Sequence, residues 1–275
     1  MRALVTKTLS LVVVCLALAA RVYGATPGPE PYWYESMKKL NEGFTGNPCY
    51  VAQFGDSITY SAPFWKPLNW AVPEQYLPDD GFPKAAKTVF AGDKRWRDLL
   101  KGMANKGPDY ANMSAWKIED LLAAVPGVLK RDEPEMAIIM IGTNGTHVKK
   151  PGNYRANLEK IIKMCLDAHC IPILNTIPPK QGCDAGVAEV NADVRELALQ
   201  YKVPLVDYHA EIVKRQPVPA CFGTLIEKDS VHPTAGDTAI FSEENLKISG
   251  YALRTWVNFL TVREIFFRIL NVPRP

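Results

Sequence analysis

Ser57 is the first residue of this sequence whose type and position suggest chemistry. It lies in residues 51–59 (VAQFGDSIT), where a short apolar run meets Gly55 and Asp56. The apolar run is typical of a strand, and the glycine permits a tight exit from it. We therefore expect Ser57 just past the carboxyl end of a strand, where open α/β sheets bind their ligands. A serine there is a nucleophile if a base can reach it, and otherwise it is a helix N-cap.

The strongest candidate for that base is His232, in the stretch DSVHP that begins at Asp229. A carboxylate three residues before a histidine can turn back within one loop and accept a hydrogen bond from the imidazole Nδ1–H. The ring nitrogen Nε2 is then placed to take a proton from a serine hydroxyl. The remaining histidines stand alone in loop or helix-end sequence and are interpreted as structural or solvated: His147, His169 and His209.

A serine nucleophile also needs hydrogen-bond donors aimed at the negative charge that develops on the substrate oxygen. Asn144 follows a continuous apolar run at residues 136–141, which is typical of a strand buried on both faces. Its amide should therefore open onto the same edge of the sheet as Ser57. The Ser57 backbone N–H is a second candidate donor, and a third could come from the loop at residues 114–116.

The blocks GDSIT, GTN and DSVHP, in this order, resemble those of the SGNH hydrolase superfamily, whose members are also called GDSL esterases and lipases. The resemblance extends over about residues 50–257. It implies that Ser57 is the nucleophile, Asn144 an oxyanion donor, His232 the base and Asp229 the acid that orients His232. It also implies a flavodoxin-like, three-layer α/β/α sandwich around a five-stranded parallel sheet.

The sequence departs from the family pattern at three places. The family places a glycine N–H in the oxyanion hole, and the matching residue here is Ala115. If the φ angle there must be positive, an alanine costs on the order of 1 kcal/mol of strain. The family often has an aspartate after the asparagine, where this chain has Gly145. The stretch from His232 to Gly250 is also longer than usual, and we expect it to add a loop beside the site.

The rest of the sequence predicts the α/β framework that would position these residues. Short apolar segments alternate with helical patterns, which is typical of a parallel sheet covered by helices on both faces. The predicted strands are residues 51–54, 108–113, 136–141, 171–177 and 203–206. The predicted helices are residues 32–40, 96–103, 117–129, 154–168, 187–201 and 249–270.

Two of these helices carry further expectations. Pro126 should break or kink the helix at 117–129, because proline lacks a backbone N–H and clashes with the preceding turn. The helix at 249–270 has an amphipathic pattern, and we expect its apolar side to pack on the core rather than lie on a membrane surface. That apolar side consists of Leu253, Trp256, Phe259 and Leu260.

Residues 60–93 form a long irregular segment with five prolines and many aromatic residues. Long loops of this kind inside a compact domain are usually functional or disordered, and the aromatic residues argue against disorder. Two interpretations remain open. The aromatic side chains form a wall over the site, because their faces suit sugar rings and acyl chains, or they cover the core.

The first 24 residues predict export. Arg2 and Lys7 precede an apolar run at 9–20 that is too short for a comfortable membrane span, and small residues follow near Gly24. This pattern is typical of a secretory signal peptide, and an uncleaved anchor is the alternative. We expect a secreted or periplasmic protein that keeps no stable membrane insertion once residues 1–24 are removed. Residues 25–275 then form one domain.

Composition is that of an ordinary globular protein, with 47% hydrophobic and 22% charged residues in a chain of 275. The net charge of +3 is spread without a long basic run, so we expect no nucleic-acid partner. Export would leave five cysteines in an oxidising compartment: Cys49, Cys165, Cys170, Cys183 and Cys221. The favoured disulfide joins Cys183 to Cys221, with Cys165 to Cys170 as the other possibility.

These observations lead to one hypothesis and two alternatives. The hypothesis is a serine esterase that works through an acyl-enzyme, needs no metal or cofactor, and removes acetyl groups from carbohydrate. The alternatives are a lipid-directed esterase, such as a lysophospholipase or thioesterase, and a non-catalytic carbohydrate-binding relative. Asn112 and Asn144 each begin an N-x-S/T sequon, and we interpret both as chance matches. The sequence leaves the oligomeric state open.

Overall fold

The computed structural model describes residues 28–82 and 105–270. The predicted signal peptide at 1–24, the predicted helix at 96–103 and the end of the irregular segment lie outside the described residues. No helix within the described ranges is long and apolar enough to cross a membrane.

The centre of the fold is a parallel sheet whose spatial order follows the chain order. Strands β2 and β3 are buried along their whole length, which explains the apolar runs at residues 136–140 and 171–174. The register sets Gly55, at the end of β1, beside Met140, at the end of β2. The strands of the described residues are β1 (Asn47–Gly55), β2 (Pro134–Met140), β3 (Ile171–Asn175) and β4 (Leu205–Val206).

The prediction of a fifth strand at 108–113 is wrong, because that segment turns instead of extending. Pro108–Tyr110 is a 3-10 helix and Ala111 has a left-handed φ of 58°. Among the described residues only Asn112 pairs there, through one parallel bridge to Gly55 on the side of β1 away from β2. The Asn112 side-chain amide also donates to the Gln53 carbonyl at 2.9 Å. The described sheet therefore has four strands, with one residue in the fifth position.

Helices cover the sheet in two groups, as the alternating pattern predicts. Helices α3, α4 and α5 pack side by side against β1 and β3, while α1 and α7 contact β3 and β4. The fold is therefore the expected three-layer α/β/α arrangement. The helices of the described residues are α1 (Tyr34–Glu42), α2 (Ser57–Tyr60), α3 (Ile118–Asp132), α4 (Tyr154–Asp167), α5 (Asp184–Tyr201), α6 (Tyr208–Arg215) and α7 (Gly250–Ile265), which continues into a π-helical turn at Phe266–Leu270.

Helix α3 does not break at Pro126 and runs on to Asp132. Pro126 lies on the exposed side of the helix, where water can satisfy the carbonyl that loses its partner. Buried residues on the opposite side, Val125, Val128 and Leu129, hold the helix on the core. Burial of these side chains outweighs the local cost of the proline.

Helix α7 packs on the core as expected, but it is buried on nearly every side rather than amphipathic. Its polar residues Arg254, Asn258 and Arg263 are all at most 1% exposed. Each has a specific partner: Arg254 stacks on Phe64 with its guanidinium carbon 3.6 Å from the ring centre. Asn258 donates to the Asn175 side chain at 2.8 Å. Arg263 forms an ion pair with the carboxylate of Asp80 in the irregular loop segment.

The described part of the aromatic segment is mostly a cover over the core. Phe64 and Trp65 are fully buried, and the Trp65 backbone N–H donates to Thr255 of α7 at 3.2 Å. Trp70 is different, because 61% of it is exposed. The core-cover interpretation is therefore confirmed for Phe64 and Trp65, and the wall over the site stays a prediction.

The predicted disulfides are absent, because all five cysteines at positions 49–221 are free thiols. Cys165 and Cys170 both lie buried in the core around the end of α4. Burial, followed by the neighbouring Cys165 side chain, raises the pKa of the Cys170 thiol. The cysteines contribute apolar packing rather than covalent links.

Candidate active site

Ser57 is delivered to the edge of the sheet by the tight turn at Gly55 and Asp56. A Cβ atom on Gly55 would lie 2.2 Å from the Met140 carbonyl oxygen and 2.4 Å from Thr59 Oγ1, so only glycine fits. Asp56 is the N-cap of α2, because its Oδ1 accepts a hydrogen bond from the Ile58 N–H at 3.1 Å. Ser57 is therefore the first residue of the helix and not its cap.

The Asp56 side chain is fully buried beneath this turn. Burial raises the pKa of its carboxyl, and the Ile58 N–H and the nearby Arg254 guanidinium oppose that rise. Because Asp56 caps α2 and is buried away from solvent, it positions Ser57 and is not the carboxylate that orients His232.

The structure brings Ser57, His232 and Asp229 together. Ser57 Oγ lies 2.9 Å from His232 Nε2. His232 Nδ1 forms a short hydrogen bond with Asp229 Oδ2, while Asp229 Oδ1 accepts from the backbone N–H groups of Val231 and His232 at 3.0 Å each. Partial burial raises the pKa of Asp229, but the hydrogen bonds from His232 outweigh it and hold that pKa below its usual value. A charged Asp229 fixes the imidazole tautomer that a base needs.

This triad lies at an open rim of the protein. The His232 side chain is 38% exposed and that of Asp229 is 47% exposed. Backbone pairing holds the loop that carries them: the Glu227 N–H donates to the His232 carbonyl at 2.7 Å. Ser230, between the two functional residues, has a left-handed φ of 75°.

The three segments that carry the candidate oxyanion donors are tied to one another. The Met113 N–H donates to the Gly55 carbonyl at 3.3 Å, which attaches the Ala115 loop to the end of β1. Asn144 Nδ2 donates to the Trp116 carbonyl at 3.1 Å. An amide nitrogen carries two N–H groups, so this bond leaves Asn144 a second donor for a substrate oxygen.

Ala115 has a φ of 64°, in the left-handed region. The glycine that the family places here is therefore replaced by a residue whose Cβ is strained, at a cost of about 1–2 kcal/mol. The substitution of alanine for glycine leaves the backbone N–H of residue 115 in place as a donor.

Two cations that support the site gave no recognisable signal in the sequence. Arg254 Nη1 donates to the Ile58 carbonyl at 2.8 Å, at the back of α2. Lys180 Nζ donates to the carbonyls of Thr143 and Thr146 at 2.9 and 2.8 Å, on either side of Asn144. Nothing in the local sequence patterns distinguishes either residue from an ordinary surface cation.

The chain belongs to the GDSL-like lipase/acylhydrolase family, whose sequence model matches residues 54–236. The match includes Ser57, Ala115, Asn144, Asp229 and His232. This confirms the resemblance to the SGNH hydrolases, and the protein is a hydrolase of carboxylic esters. A comparison with curated proteins finds no match.

Several solved structures are similar to this chain at low sequence identity. A GDSL-like lipase from Bacteroides thetaiotaomicron is 16% identical, with a TM-score of 0.50, over 85% of this chain and 98% of its own. A lipase/acylhydrolase from Enterococcus faecalis is 20% identical, with a TM-score of 0.46, over 80% of this chain and 96% of its own. A psychrotrophic esterase from Pseudoalteromonas is 16% identical, with a TM-score of 0.47, over 77% and 98% of the two chains.

Proposed function

We propose that this protein is a secreted serine esterase that removes acetyl groups from carbohydrate. The observation that carries the assignment of Ser57 is its contact with His232: a hydroxyl 2.9 Å from an imidazole nitrogen whose other nitrogen is bonded to a carboxylate. That arrangement lets the imidazole accept the serine proton as the hydroxyl attacks a carbonyl carbon.

In the proposed reaction Ser57 Oγ bonds to the ester carbonyl carbon while its proton moves to His232 Nε2. The backbone N–H groups of Ser57 and Ala115 and the Asn144 amide donate to the resulting oxyanion. When the carbon–oxygen bond to the alcohol breaks, His232 returns the proton to the leaving oxygen. Water, deprotonated by His232, then attacks the acyl-enzyme, and the acid leaves as Ser57 regains its proton. Asp229 stabilises the imidazolium in both halves.

Two features support a large external substrate. The exposed rim at His232 and Asp229 leaves the triad accessible to a polymer chain. Tyr60 and Trp70 present 36% and 61% of their surfaces to solvent, and aromatic faces of this kind suit sugar rings. The predicted signal peptide at 1–24 supports export to where such polymers occur.

The nucleophile is tested with p-nitrophenyl acetate. Ser57→Ala should lose activity by about 10³-fold or more, because residual rates in such enzymes come only from the oxyanion hole and binding. Ser36→Ala, a serine on α1, is the matched control, and thermal unfolding should be the same for both. Undiminished turnover by the Ser57→Ala enzyme would falsify the assignment.

The substrate is tested by acetate release from acetylated xylan and pectin, with long-chain p-nitrophenyl esters and a lysophospholipid as comparison. We expect kcat/KM to favour the acetylated glycans. Faster turnover of the long-chain esters would instead favour the lipid-directed alternative. Affinity for the glycan, without labelling of Ser57 by a fluorophosphonate probe, would favour the non-catalytic carbohydrate-binding alternative.

A further inference from the structure

Lys180 is hydrogen-bonded to the loop that carries Asn144. Its ammonium group donates to the carbonyl of Thr143, one residue before Asn144, at 2.9 Å. It also donates to the carbonyl of Thr146, two residues after Asn144, at 2.8 Å. Hydrogen bonds from a charged donor are about twice as strong as neutral ones. One side chain therefore fixes both ends of the short turn from which the Asn144 amide projects.

Gln181, the next residue, is hydrogen-bonded to the loop that carries Asp229 and His232. Its Oε1 accepts a hydrogen bond from the Ser230 hydroxyl at 2.7 Å, and its backbone N–H donates to the Ser230 carbonyl at 3.2 Å. Ser230 lies between the acid and the base and has a strained, left-handed φ of 75°. Such a conformation persists only where the surroundings enforce it, and Gln181 supplies two of those contacts.

The segment that carries Lys180 and Gln181 is itself firmly anchored. It leaves β3 through Ile177, whose backbone N–H and carbonyl are both bonded to the Asn191 side chain of α5, at 2.8 and 3.0 Å. Pro178 and Pro179 follow, and their rings fix φ at each position. Asn191 is 1% exposed, so this anchor is part of the core.

We propose that Lys180 and Gln181 are positioning residues. They hold the loop that carries Asn144 and the loop that carries His232 in fixed positions relative to each other. Lys180 sets the oxyanion donor Asn144, and Gln181 sets the base His232, from two consecutive residues on one rigid segment. A displacement of about 1 Å at a reacting group can cost 10²-fold in rate, so this alignment affects turnover directly. The inference rests on the proposed roles of Asn144 and His232.

The Lys180 half is tested by a double-mutant cycle with Asn144, using micromolar enzyme and p-nitrophenyl acetate. Lys180→Met should lower kcat about tenfold with KM unchanged within twofold, because it misplaces one oxyanion donor rather than removing the substrate contacts. In the Asn144→Ala background the same substitution should cost less than twofold. Lys180→Arg, which keeps a cationic donor, should restore part of the rate, and Lys214→Met on α6 is the matched control.

The Gln181 half is tested in the same way against His232. Gln181→Ala should lower kcat five- to tenfold in the parent enzyme and less than twofold in the His232→Ala background. The Ser230→Ala substitution should not add to Gln181→Ala, because both remove the same bond. Urea unfolding of each variant, performed in parallel, corrects every rate for the folded fraction.

The two proposals fail in different ways. Equal fold-losses from Lys180→Met with and without Asn144, or from Gln181→Ala with and without His232, would overturn the positioning role, as would an unchanged kcat. If instead the Ser57→Ala enzyme keeps its activity, the assignment of the site itself is wrong, whatever the cycles show.

Discussion

Arg254, on α7, donates from Nη1 to the backbone carbonyl of Ile58, the residue after the candidate nucleophile, at 2.8 Å. Its Nη2 donates to Thr59 Oγ1 at 2.9 Å, and its guanidinium plane covers the Phe64 ring. Arg254 is fully buried, and burial lowers its pKa to about 10, which leaves it charged at neutral pH. Helix α7, near the end of the described residues, thereby supports the segment that carries Ser57.

Removal of this cation should destabilise the protein. Arg254→Met fills a similar volume but leaves the Ile58 carbonyl without its donor, at a cost of about 2–4 kcal/mol in the free energy of unfolding. Arg254→Lys keeps the charge but loses the planar contact with Phe64, so we expect an intermediate loss. Urea unfolding measures both. A Met variant as stable as the parent would show that Arg254 has no role in holding α2.

The strained alanine gives the opposite prediction. Ala115→Gly removes the left-handed Cβ penalty of about 1–2 kcal/mol but adds backbone entropy to the unfolded chain. The net effect should be a gain of about 0.5–1 kcal/mol in the free energy of unfolding. Ala123→Gly, at an exposed position of α3 with ordinary helical φ, should lose about 1 kcal/mol. If both variants lose stability equally, the backbone at Ala115 is not strained.

The contact between Asp229 and His232 should appear in the pH dependence of stability. The pKa of Asp229 is lowered in the folded state. Its contribution is therefore present above the pKa of an unfolded aspartate and is lost as pH falls through the folded value. The parent should be more stable than the Asp229→Asn variant at pH 6. This difference in unfolding free energy should shrink as pH falls from about 6 to 3. A difference that stays constant over that range would contradict the shift.

The same Asp229→Asn substitution should reduce turnover by about 10²-fold, less than for a buried triad aspartate, because solvent already screens this one. The measurement is kcat for p-nitrophenyl acetate at pH 8. Unchanged kcat would show that the base needs no orienting carboxylate.

Lys106 should oppose stability at neutral pH. Burial, followed by the charges of Arg254 and Lys66, lowers its pKa to about 7, although its ammonium donates to the Thr59 carbonyl at 2.6 Å. The unfolded chain therefore binds more protons than the folded one between about pH 7 and 10, and stability rises with pH over that window.

Lys106→Met removes this dependence. The difference in unfolding free energy, variant minus parent, should become less favourable to the variant as pH rises from 7 to 9.5. Lys214→Met, an exposed lysine on α6, should show no such trend in the same urea titrations. A parallel course for the Lys106 variant and the parent would rule out the lowered pKa.

The sequence alone predicted the features of the fold and the site that have a distinctive residue pattern. The apolar runs of β2 and β3 predicted buried strands, and the order of the three motif blocks predicted that Ser57 and His232 would meet. Asp229 was predicted from a spacing that fits a single loop. For the strands and for Asp229 the residue types and the short range of the interaction leave few alternatives. Ser57 and His232 lie 175 positions apart, so their contact was predicted only from the order of the motif blocks.

Prediction failed where tertiary contacts decide. Pro126 is tolerated because buried neighbours hold α3, and the segment at 108–113 turns because Ala111 adopts a left-handed conformation. Lys180 and Arg254 could not be identified, since each acts on backbone carbonyls that carry no sequence signature. Four of the five free cysteines between positions 49 and 221 are buried in the core, and their positions in the chain do not encode this burial.

The bridge at Asn112 has a consequence for the edge of β1 that faces away from β2. The buried Asn112 amide donates to the Gln53 carbonyl, and the backbone of Ala111 and Met113 pairs with Gly55, so an incoming chain finds these groups already taken. The same burial closes the Asn112 sequon once the protein has folded. A sugar attached there during synthesis would keep the amide out of the interior, and the Gln53 carbonyl would lose this donor.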